Sequence, residues 1–386
     1  MDVRGLRDLV AARYGEFLAE LEAMVNIDCG SYSPEGVNRV VERCERRFRT
    51  FGWDVERRAH APEPGEQRLG DLLIGRREGS GGRKILLVGH TDTVFDDGTA
   101  AERPFRIEGS IAHGPGVSDM KAGLLTGFFA THALHDAGLE TYEHITYVCN
   151  PDEEIGSTFS GPVIRELAAS HDVAFVLEGA RENGDIVSAR KGVTDYALTV
   201  HGRAAHAGVE PEKGRNAIAG AAVLVGQLQA LNARWPGVTV NVGTIDGGTR
   251  TNVVPARCTI EVDLRSPNLE TLEAAEREIE RLCAAPALPD TTIEVTREGW
   301  HRPMERTPAV AGLVERAIAL SADLGFELRD AATGGASDAN TIAAAGTPVL
   351  DGLGPVGGDD HAPAEWLDLD SVTPRTALLA GLIGLR

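Results

Sequence analysis

The sequence predicts an α/β protein in which a mostly parallel, buried sheet is interrupted by a ferredoxin-like α+β insert. In the first half of the chain, short apolar runs alternate with helical patterns, and each run leads into a histidine or a carboxylate. Continuous apolar strands that alternate with helices are typical of a parallel sheet covered on both faces. A later stretch has the order strand, helix, strand, strand, helix, strand, which is that of a ferredoxin-like fold.

The polar residues that follow the apolar runs define one expected edge of the main sheet. The runs span residues 84–88, 144–149 and 173–177. They lead into His90, Asp152 and Glu178, and the helical patterns at 120–137 and 161–169 lie between them. Because the chemistry of parallel sheets lies beyond the carboxyl ends of their strands, we expect these side chains to share a site.

A second unit is predicted inside the first one. Its strand-like segments span 196–200, 239–244, 256–264 and 292–296, and its helical segments span 217–231 and 269–283. We therefore expect a main domain in two parts, residues 1–193 and 300–386, with an inserted domain at 194–299. A chain of 386 residues is long enough for two such domains.

Composition is that of a globular protein and argues against several classes of partner. Of the residues, 42% are apolar and 25% are charged, and the formal net charge is -20. So strong a negative charge argues against nucleic acid or an anionic membrane as a partner. No apolar run approaches the roughly 20 residues of a membrane span.

The start of the chain and the cysteines predict a cytoplasmic location. Charged residues interrupt the amphipathic helical pattern that extends to about Met24, so it lacks the apolar core of a signal peptide. The five cysteines are scattered and form no CxxC pair. This usage is typical of reduced thiols, since neither a disulfide frame nor a zinc-thiolate site is indicated.

Five short clusters carry the ligand types that a pair of divalent metal ions requires. They lie at residues 89–93, 118–121, 152–154, 177–179 and 359–361. Together they contain two imidazoles and several carboxylates, which suit borderline divalent metals. Each cluster alone is as well explained by a solvated turn or a charged strand end. Their joint occurrence around one sheet favours a dimetal site.

Residue type and spacing indicate roles for the first two clusters. His90 suits one ion, and Asp92 can hold the far ring nitrogen of that imidazole, which fixes its tautomer. Asp119 lies in a glycine-rich loop where the backbone can approach closely. We expect Asp119 to be the carboxylate that bridges the two ions.

The remaining clusters would complete the site. Glu153 and Glu154 are neighbours, so on an irregular turn one can bind metal while the other transfers protons. Glu178 and His361 would complete the two ligand shells.

These motifs, in this order, resemble those of the M20 family of metallopeptidases and most of all its glutamate carboxypeptidase branch. The family patterns GHxDTV, GxGxxDxKxG and DEExGS are matched at 89–94, 114–123 and 152–157. The strand-end Glu178, a GxxxHAG segment at 202–208 and the late His361 follow. The resemblance extends over nearly the whole chain.

The resemblance implies a zinc-peptidase catalytic domain in which the insert serves as a lid and dimerisation domain. His90, Asp119 and Glu178 would bind one zinc ion. Asp119, Glu154 and His361 would bind the second. Each subunit would then hold two Zn2+, with Co2+ or Mn2+ as alternatives.

The mechanism that the resemblance implies is amide hydrolysis by a metal-bridging water. Glu153 would act as the general base toward that water, and Asp92 would orient its metal ligand. His206 corresponds to a lid histidine that reaches the active site of the partner subunit and stabilises the oxyanion.

Further positions resemble substrate contacts of the family. Arg265 and Asn252 match lid residues that hold the free carboxylate of the substrate, a group that a planar guanidinium binds bidentately. Lys191, Arg302 and Gly335 resemble additional substrate-contacting positions.

The sequence therefore predicts a homodimeric dizinc hydrolase that cleaves N-acyl amino acids or small peptides with a free C-terminal carboxylate. The first alternative is a deacylase of the acetylornithine or succinyl-diaminopimelate type. A second is a non-catalytic binding protein on the same scaffold, although such a protein needs no base at Glu153. A metallophosphoesterase fits poorly, because such sites usually contain more histidines and an Asn ligand.

Overall fold

The computed structural model describes residues 2–385 and has a mixed α/β architecture in two units. Unit 1 comprises residues up to Ser188, Arg306–Ala332 and the chain from Ser337 onwards. Unit 2 comprises Ala189–Glu305 and Thr333–Ala336. The inserted unit thus starts five residues before the expected position 194, ends at Glu305 rather than 299, and takes in a short later segment.

The described residues form helices that in chain order are α1 (Val3–Ala12), α2 (Tyr14–Val25), α3 (Pro34–Thr50), α4 (Thr99–Glu102), α5 (Ala122–Asp136), α6 (Gly161–Ala168), α7 (Ala217–Gln229), α8 (Leu269–Ala284), α9 (Pro308–Leu324), α10 (Asp338–Ala344) and α11 (Leu369–Gly384). Among residues 2–385, none of them combines the length and the apolar character needed to cross a membrane.

The strands form four sheets within the described residues, and in chain order they are β1 (Asp54–Arg58), β2 (Leu72–Glu78), β3 (Lys84–His90), β4 (Arg106–Glu108), β5 (Ile111–His113), β6 (His144–Asn150), β7 (Val173–Val176), β8 (Ile186–Arg190), β9 (Gly192–His201), β10 (Thr239–Gly247), β11 (Arg257–Ser266), β12 (Thr292–His301), β13 (Asp330–Thr333), β14 (Val349–Leu350), β15 (Gly357–Gly358) and β16 (Trp366–Asp368).

The largest sheet of unit 1 has the strand order β1-β2-β6-β3-β7-β14. Strands β6, β3, β7 and β14 pair in parallel, whereas β1 and β2 join as an antiparallel edge. The predicted mostly parallel sheet is confirmed, and the antiparallel edge is an addition to it. The central strands are buried on both faces, as their unbroken apolar sequences require.

Helix α5 packs against this sheet and begins later than its sequence pattern indicates. It starts at Ala122 rather than Met120, because residues Asp119 and Met120 have non-helical backbone angles. The hydroxyl of Tyr147 on β6 donates to the carbonyl oxygen of Leu124 at 2.7 Å, which fixes the helix on the sheet. The start of α5 is thereby anchored beside the loop that carries Asp119.

Unit 2 is a four-stranded antiparallel sheet with two helices. The strand order is β10-β11-β9-β12, and the chain order is β9-α7-β10-β11-α8-β12. This is the ferredoxin-like arrangement that the sequence predicted. Alternate residues of the strands, such as Leu198 and Ile260, are fully buried with the apolar faces of the helices. The fold class is therefore α/β with a ferredoxin-like insert.

Candidate metal and catalytic site

The site of unit 1 lies where parallel strands end. His90 is the last residue of β3 and pairs in register with Asn150, the last residue of β6. Glu178 follows directly after Leu177, whose backbone N–H donates to the carbonyl oxygen of Val88 at 3.0 Å. The carboxyl ends of three neighbouring strands thus deliver polar residues to one edge of the sheet, as the sequence predicted.

The carboxylate of Asp119 lies between two imidazoles. Its Oδ1 is 3.0 Å from Nε2 of His90, and its Oδ2 is 3.0 Å from Nε2 of His361. Each oxygen therefore faces a different histidine. A carboxylate in this position can serve two cations at once, with one imidazole beside each.

Three glutamates surround this arrangement. Glu154 Oε2 lies 3.1 Å from Nε2 of His361, and Glu178 Oε2 lies 3.8 Å from Nε2 of His90. Ligand atoms of His90, Asp119 and Glu154 are all within 4.8 Å of one another, and so are those of His90, Glu153 and Glu178. The structure brings together every residue of unit 1 that the sequence assigned to metal binding, and it places Glu153 among them.

Asp92 has more contacts than the sequence indicated. Nδ1 of His90 lies 3.0 Å from the backbone carbonyl oxygen of Asp92 and 3.4 Å from its carboxylate. The same carboxylate accepts the backbone N–H groups of Glu153 and Glu154 at 3.3 and 3.2 Å and the hydroxyl of Ser31 at 2.7 Å. Asp92 therefore orients the imidazole and also holds the turn that carries the two glutamates.

The hydrogen bonds of His90 determine which nitrogen faces Asp119. A carbonyl oxygen only accepts, so Nδ1 of His90 donates to the backbone of Asp92. The lone pair of the neutral ring is then on Nε2, opposite a carboxylate oxygen that is also an acceptor. Burial lowers the pKa of His90, but the charge of Glu178 and hydrogen bonds to Asp119 and Asp92 raise it well above its ordinary value. Two acceptors, Nε2 of His90 and Oδ1 of Asp119, lie 3.0 Å apart. This contact is favourable when a cation, either a proton or a metal ion, lies between them.

The pKa values of other groups in the cluster also indicate an excess of negative charge. Burial raises the pKa of Glu178 to about 8. Burial and then the charge of Glu178 raise the pKa of Glu153 well above its ordinary value. The hydrogen bonds to Asp119 and Glu154 raise the pKa of His361 to about 11. The acidic groups thus outweigh the imidazoles, and the cluster is stabilised by added cations.

These residues fit a pair of divalent metal ions. The side chain of Glu154 is only 5% exposed. Its Oε1 is buried and has no hydrogen-bond partner within residues 2–385. A buried carboxylate oxygen is costly in that state unless it binds a cation. Imidazole nitrogens and carboxylate oxygens are the donors that Zn2+, Co2+ and Mn2+ accept.

Backbone geometry at the site is unusual at several non-glycine residues, which include Ser157 with φ 52°. His361 has φ 64° and Asp359 has φ 54°, both in the left-handed region that residues with a Cβ seldom adopt. Strained residues of this kind concentrate at functional sites. Close approach also matters, since a Cβ on Gly123 would meet the carbonyl oxygen of Leu177 at 1.8 Å. Only glycine lets α5 pass so near to the residue before Glu178.

Asp338 supports the site and was not predicted individually. Its buried carboxylate accepts the Ser157 hydroxyl and the Asn150 side-chain amide, each at 2.6 Å. Asp152 in turn accepts the backbone N–H of Phe159 at 2.6 Å. These bonds fix both ends of the turn at residues 153–156. In the structure Asp338 is also the first residue of helix α10, which Ser337 caps.

In unit 2 the structure brings His206 and Asn252 together. The backbone N–H of Ala207 donates to the carbonyl oxygen of Asn252 at 3.0 Å, and Val254 donates to Ala205 at 2.9 Å. Nδ1 of the exposed His206 accepts the backbone N–H of Gly208 at 3.2 Å. In the neutral ring the proton therefore lies on Nε2, which makes this nitrogen a donor.

The guanidinium of Arg265 is already engaged in unit 2. It binds Asp263 through Nε and Nη2, with Nη2 at 2.8 Å, and donates through Nη1 to the carbonyl oxygen of Gly334 at 2.8 Å. The neighbouring Gly335 accepts a hydrogen bond from Arg190 at 3.0 Å. A substrate carboxylate would have to share Arg265 with an aspartate, which the sequence did not indicate.

Lys191 and Arg302 are also engaged within unit 2. The ammonium group of Lys191 donates to the carbonyl oxygen of Gly237 at 2.7 Å. The guanidinium of Arg302 lies over the ring of Trp300, 5.1 Å from its centre. Their predicted contacts with substrate stay predictions.

A cavity of about 520 Å³ opens in unit 1 beside Glu154. Tyr32 and Phe95 form part of its wall, and Asp96 and Asp97 add negative charge. The cavity is large enough for a side chain or acyl group, and its acidic wall suits a cationic or hydrogen-bond-donating one.

Comparison with known proteins identifies the family of the chain. Residues 86–384 match the model of peptidase family M20/M25/M40. Carboxypeptidase G2 of Pseudomonas sp. (strain RS-16) is 31% identical over 366 residues, which is 94% of this chain and 87% of that protein. Acetylornithine deacetylase of Erwinia tasmaniensis is 32% identical over 235 residues, 56% of this chain and 58% of that protein.

Solved structures agree with the fold. Aminopeptidase PepT from Bacillus cereus has a TM-score of 0.78 at 22% identity and covers 96% of this chain and 98% of its own. The M20 family metallo-carboxypeptidase Sso-CP2 from Sulfolobus solfataricus has a TM-score of 0.72 at 18% identity, with 96% and 99% covered. At these identities the likeness bears on the fold alone. Since the family match spans most of the chain, the protein belongs to peptidase family M20/M25/M40 and is a metal-dependent hydrolase.

Proposed function

We propose that the protein is a dizinc hydrolase that cleaves the amide bond of N-acyl amino acids or of small peptides with a free C-terminal carboxylate. The observation that carries the proposal is the position of Asp119, whose two oxygens each lie 3.0 Å from a different imidazole. Asp119 would bridge the ions. His90 and Glu178 would hold one ion, and His361 and Glu154 the other.

Glu153 is the residue we assign to proton transfer. Two divalent ions bound in this cluster would supply Lewis-acid polarisation of the scissile carbonyl and a water of lowered pKa. Glu153 takes the proton of the attacking water and delivers it to the leaving amine. The carboxylate of Asp92 accepts the backbone N–H of Glu153 at 3.3 Å and also neighbours His90. Asp92 therefore orients the base. A pure binding protein would have no use for this second, adjacent glutamate.

We assign to His206 the stabilisation of the carbonyl oxygen that becomes negatively charged when water attacks the amide. Its Nδ1 accepts the N–H of Gly208 at 3.2 Å, so its Nε2–H can donate to that oxygen. As in the sequence-based interpretation, we propose that it serves the active site of the partner subunit.

Two observations support the proposal that the substrate has a free carboxylate: the name of a relative and the presence of an arginine. The relative with 31% identity over most of the chain is a carboxypeptidase. Arg265 of unit 2 offers the planar guanidinium that carboxylates prefer. Asn252, Lys191, Arg302 and Gly335 are kept as further substrate contacts on the strength of the resemblance.

A deacylase of the acetylornithine type is the second candidate. Asp96 and Asp97 on the wall of the cavity favour a substrate with a cationic side chain. A relative with that name matches 56% of the chain. The two candidates use the same chemistry and differ in the charge of the substrate.

We propose that the protein forms a homodimer through unit 2. Helix α7 exposes Ile218 and Val223, with fractional exposures of 39% and 46%, and the edge strand β10 exposes Ile245 at 54%. An apolar helix face next to an unpaired strand edge suits a second copy of the chain.

We also propose that the protein works in the cytoplasm. The five cysteines are free and buried, which supports a reducing, cytoplasmic setting.

The test is amide hydrolysis by zinc-loaded wild type and Glu153→Gln. The panel contains N-acyl amino acids and dipeptides that end in glutamate, leucine, ornithine or diaminopimelate. We expect the variant to lose at least about 10²-fold in kcat while it still binds zinc. Glu166→Gln, an exposed glutamate on α6, is the matched control. Full activity in Glu153→Gln would contradict the mechanism, and the preferred substrate decides between the two candidates.

A further inference from the structure

A buried glutamate outside the predicted site holds the backbone that carries Asp119. The carboxylate of Glu365 accepts three backbone N–H groups, from Gly116 at 2.8 Å, Ser118 at 2.8 Å and Asp119 at 3.0 Å. Glu365 is only 1% exposed. The glutamate and the loop are separated by 246 to 249 positions in the chain, so neither local sequence predicts the contact.

Glu365 also belongs to the segment that presents His361. Only three residues separate the two, and the backbone N–H of Glu365 donates to the carbonyl oxygen of Ala362 at 3.2 Å. The carbonyl oxygen of Glu365 is 3.1 Å from Nδ1 of His113, and the next residue, Trp366, pairs with His113 in the β5–β16 ladder. One residue therefore connects the loop of Asp119 with the segment of His361.

We propose that Glu365 is a positioning residue that sets the separation of Asp119 and His361 and so the geometry of the metal pair. The inference rests on the proposed dizinc function. Outer partners of this kind matter because metal–ligand distances tolerate only about 0.2 Å of error. Glu365 touches neither the substrate nor the expected ions, and it acts through the backbone of the ligand that they share.

The chemistry of the contact calls for a carboxylate. Three N–H donors converge on two oxygens, which a carboxylate accepts with lone pairs to spare. Hydrogen bonds from N–H groups to an ionised carboxylate are charge-assisted and stronger than those to a neutral acceptor. In Glu365→Gln, one oxygen becomes an NH2 group that faces a backbone donor, so at least one of the three bonds is lost. The loop is then held less firmly, although the size of the side chain is unchanged.

The test compares metal-free wild type, Glu365→Gln, Glu365→Asp and Asp28→Asn. Asp28 is the matched control, because its carboxylate accepts two backbone N–H groups of another loop, from Gly98 at 2.9 Å and Ala100 at 2.7 Å. Zinc affinity is measured by competition with a chromophoric chelator. We expect Glu365→Gln to bind zinc about 10- to 100-fold more weakly, Glu365→Asp to recover part of the loss, and Asp28→Asn to match wild type.

A second readout does not depend on metal. Hydrogen exchange of the amides of residues 116, 118 and 119 is followed in the metal-free proteins. We expect slow exchange in wild type and faster exchange in Glu365→Gln. If the variant fails to fold, the wild-type measurement still decides, because exchange at the rate of an exposed loop would overturn the proposal.

The outcomes separate this inference from the function on which it rests. Wild type that hydrolyses amides and binds zinc, with Glu365→Gln equal to it in zinc affinity, overturns the positioning role alone. A lower melting temperature of metal-free Glu365→Gln at unchanged zinc affinity also overturns that role, since it shows a purely structural residue. Wild type without measurable zinc affinity at micromolar concentrations overturns both proposals.

Discussion

Oδ2 of Asp119 lies 3.0 Å from Nε2 of His361, although 242 positions separate the two residues in the chain. The imidazole is 55% exposed, so it lies on the solvent-facing side of the cluster. The other oxygen of Asp119 faces the buried His90. In the proposed dimetal site the two halves would therefore have separate terminal ligands and share one carboxylate, so mutation would separate them.

Replacement of His361 should remove one ion of the pair. We expect His361→Ala to keep about one zinc per chain where wild type keeps about two, because a site with three protein ligands tolerates the loss of one poorly. Asp119→Asn should weaken both sites. Zinc content after dialysis, measured by atomic emission, checks this. His135→Ala, at an exposed histidine of α5, is the control. An unchanged content in His361→Ala would exclude it as a ligand.

The sequence predicted those parts of the site that are attached to the ends of strands. His90 and Glu178 could be placed because each follows an apolar run, and the carboxyl ends of parallel strands lie at one edge of a sheet. The order of the elements in unit 2 also identified its fold. In both cases the prediction depends on neighbouring parts of the sequence: a strand and the residue that follows it, or the order of successive elements.

Contacts between distant segments could not be predicted in the same way. Glu365 follows His361 closely in the sequence, yet nothing nearby shows that its carboxylate binds the backbone at Gly116 and Ser118. Likewise, the alternation of β11 places Asp263 and Arg265 on one face, but only the structure shows the guanidinium held by both carboxylate oxygens. These partners depend on packing, which a single sequence does not reveal.

Complementation between two inactive variants tests the dimer and the role of His206 together. If His206 acts in the partner's site, a mixed dimer of His206→Ala and Glu153→Gln has one complete site. Random exchange of equal amounts makes half of the dimers mixed, so about a quarter of wild-type activity should return for a symmetric dimer. Each variant alone should lose about 10²-fold or more in kcat.

The measurement is the hydrolysis rate after the two variants are unfolded and refolded together. Refolding each variant separately and mixing the products afterwards is the control for slow exchange. A refolded mixture that stays as inactive as its components would show that His206 does not serve the site of the partner subunit.

Arg265→Ala should act on substrate binding more than on turnover. A charge-assisted hydrogen bond contributes about 1.5–3 kcal/mol, so we expect KM to rise about 10- to 100-fold for a substrate with a free carboxylate. The corresponding C-terminal amide should be hydrolysed equally by both proteins. Arg281→Ala, at an exposed arginine of α8 paired with Glu278, is the control. An equal loss for acid and amide substrates would show that Arg265 does not bind the carboxylate.

Stability should depend on pH through a histidine that lies outside the site. His132 on α5 is 2% exposed and stacks on the ring of Phe51, with the ring centres 3.3 Å apart. Burial, and then the charges of Arg47 and Arg13, lower the pKa of His132 to about 2. The folded protein therefore holds the neutral ring, whereas the unfolded chain takes up a proton near its ordinary pKa of 6.5.

Because the pKa is lower in the folded state, the contribution of His132 is complete above about pH 6.5 and is lost as the pH falls below it. One such group removes about 1.4 kcal/mol of unfolding free energy between pH 7.5 and 5.5. His132→Phe keeps an aromatic ring against Phe51 and cannot titrate, so metal-free His132→Phe should lose that much less stability than metal-free wild type over this interval. Urea unfolding at the two pH values measures the difference, with His135→Phe as the exposed control on the same helix. The same loss in His132→Phe and wild type would mean that His132 is protonated in the folded protein or that its ring is not buried as the structure has it.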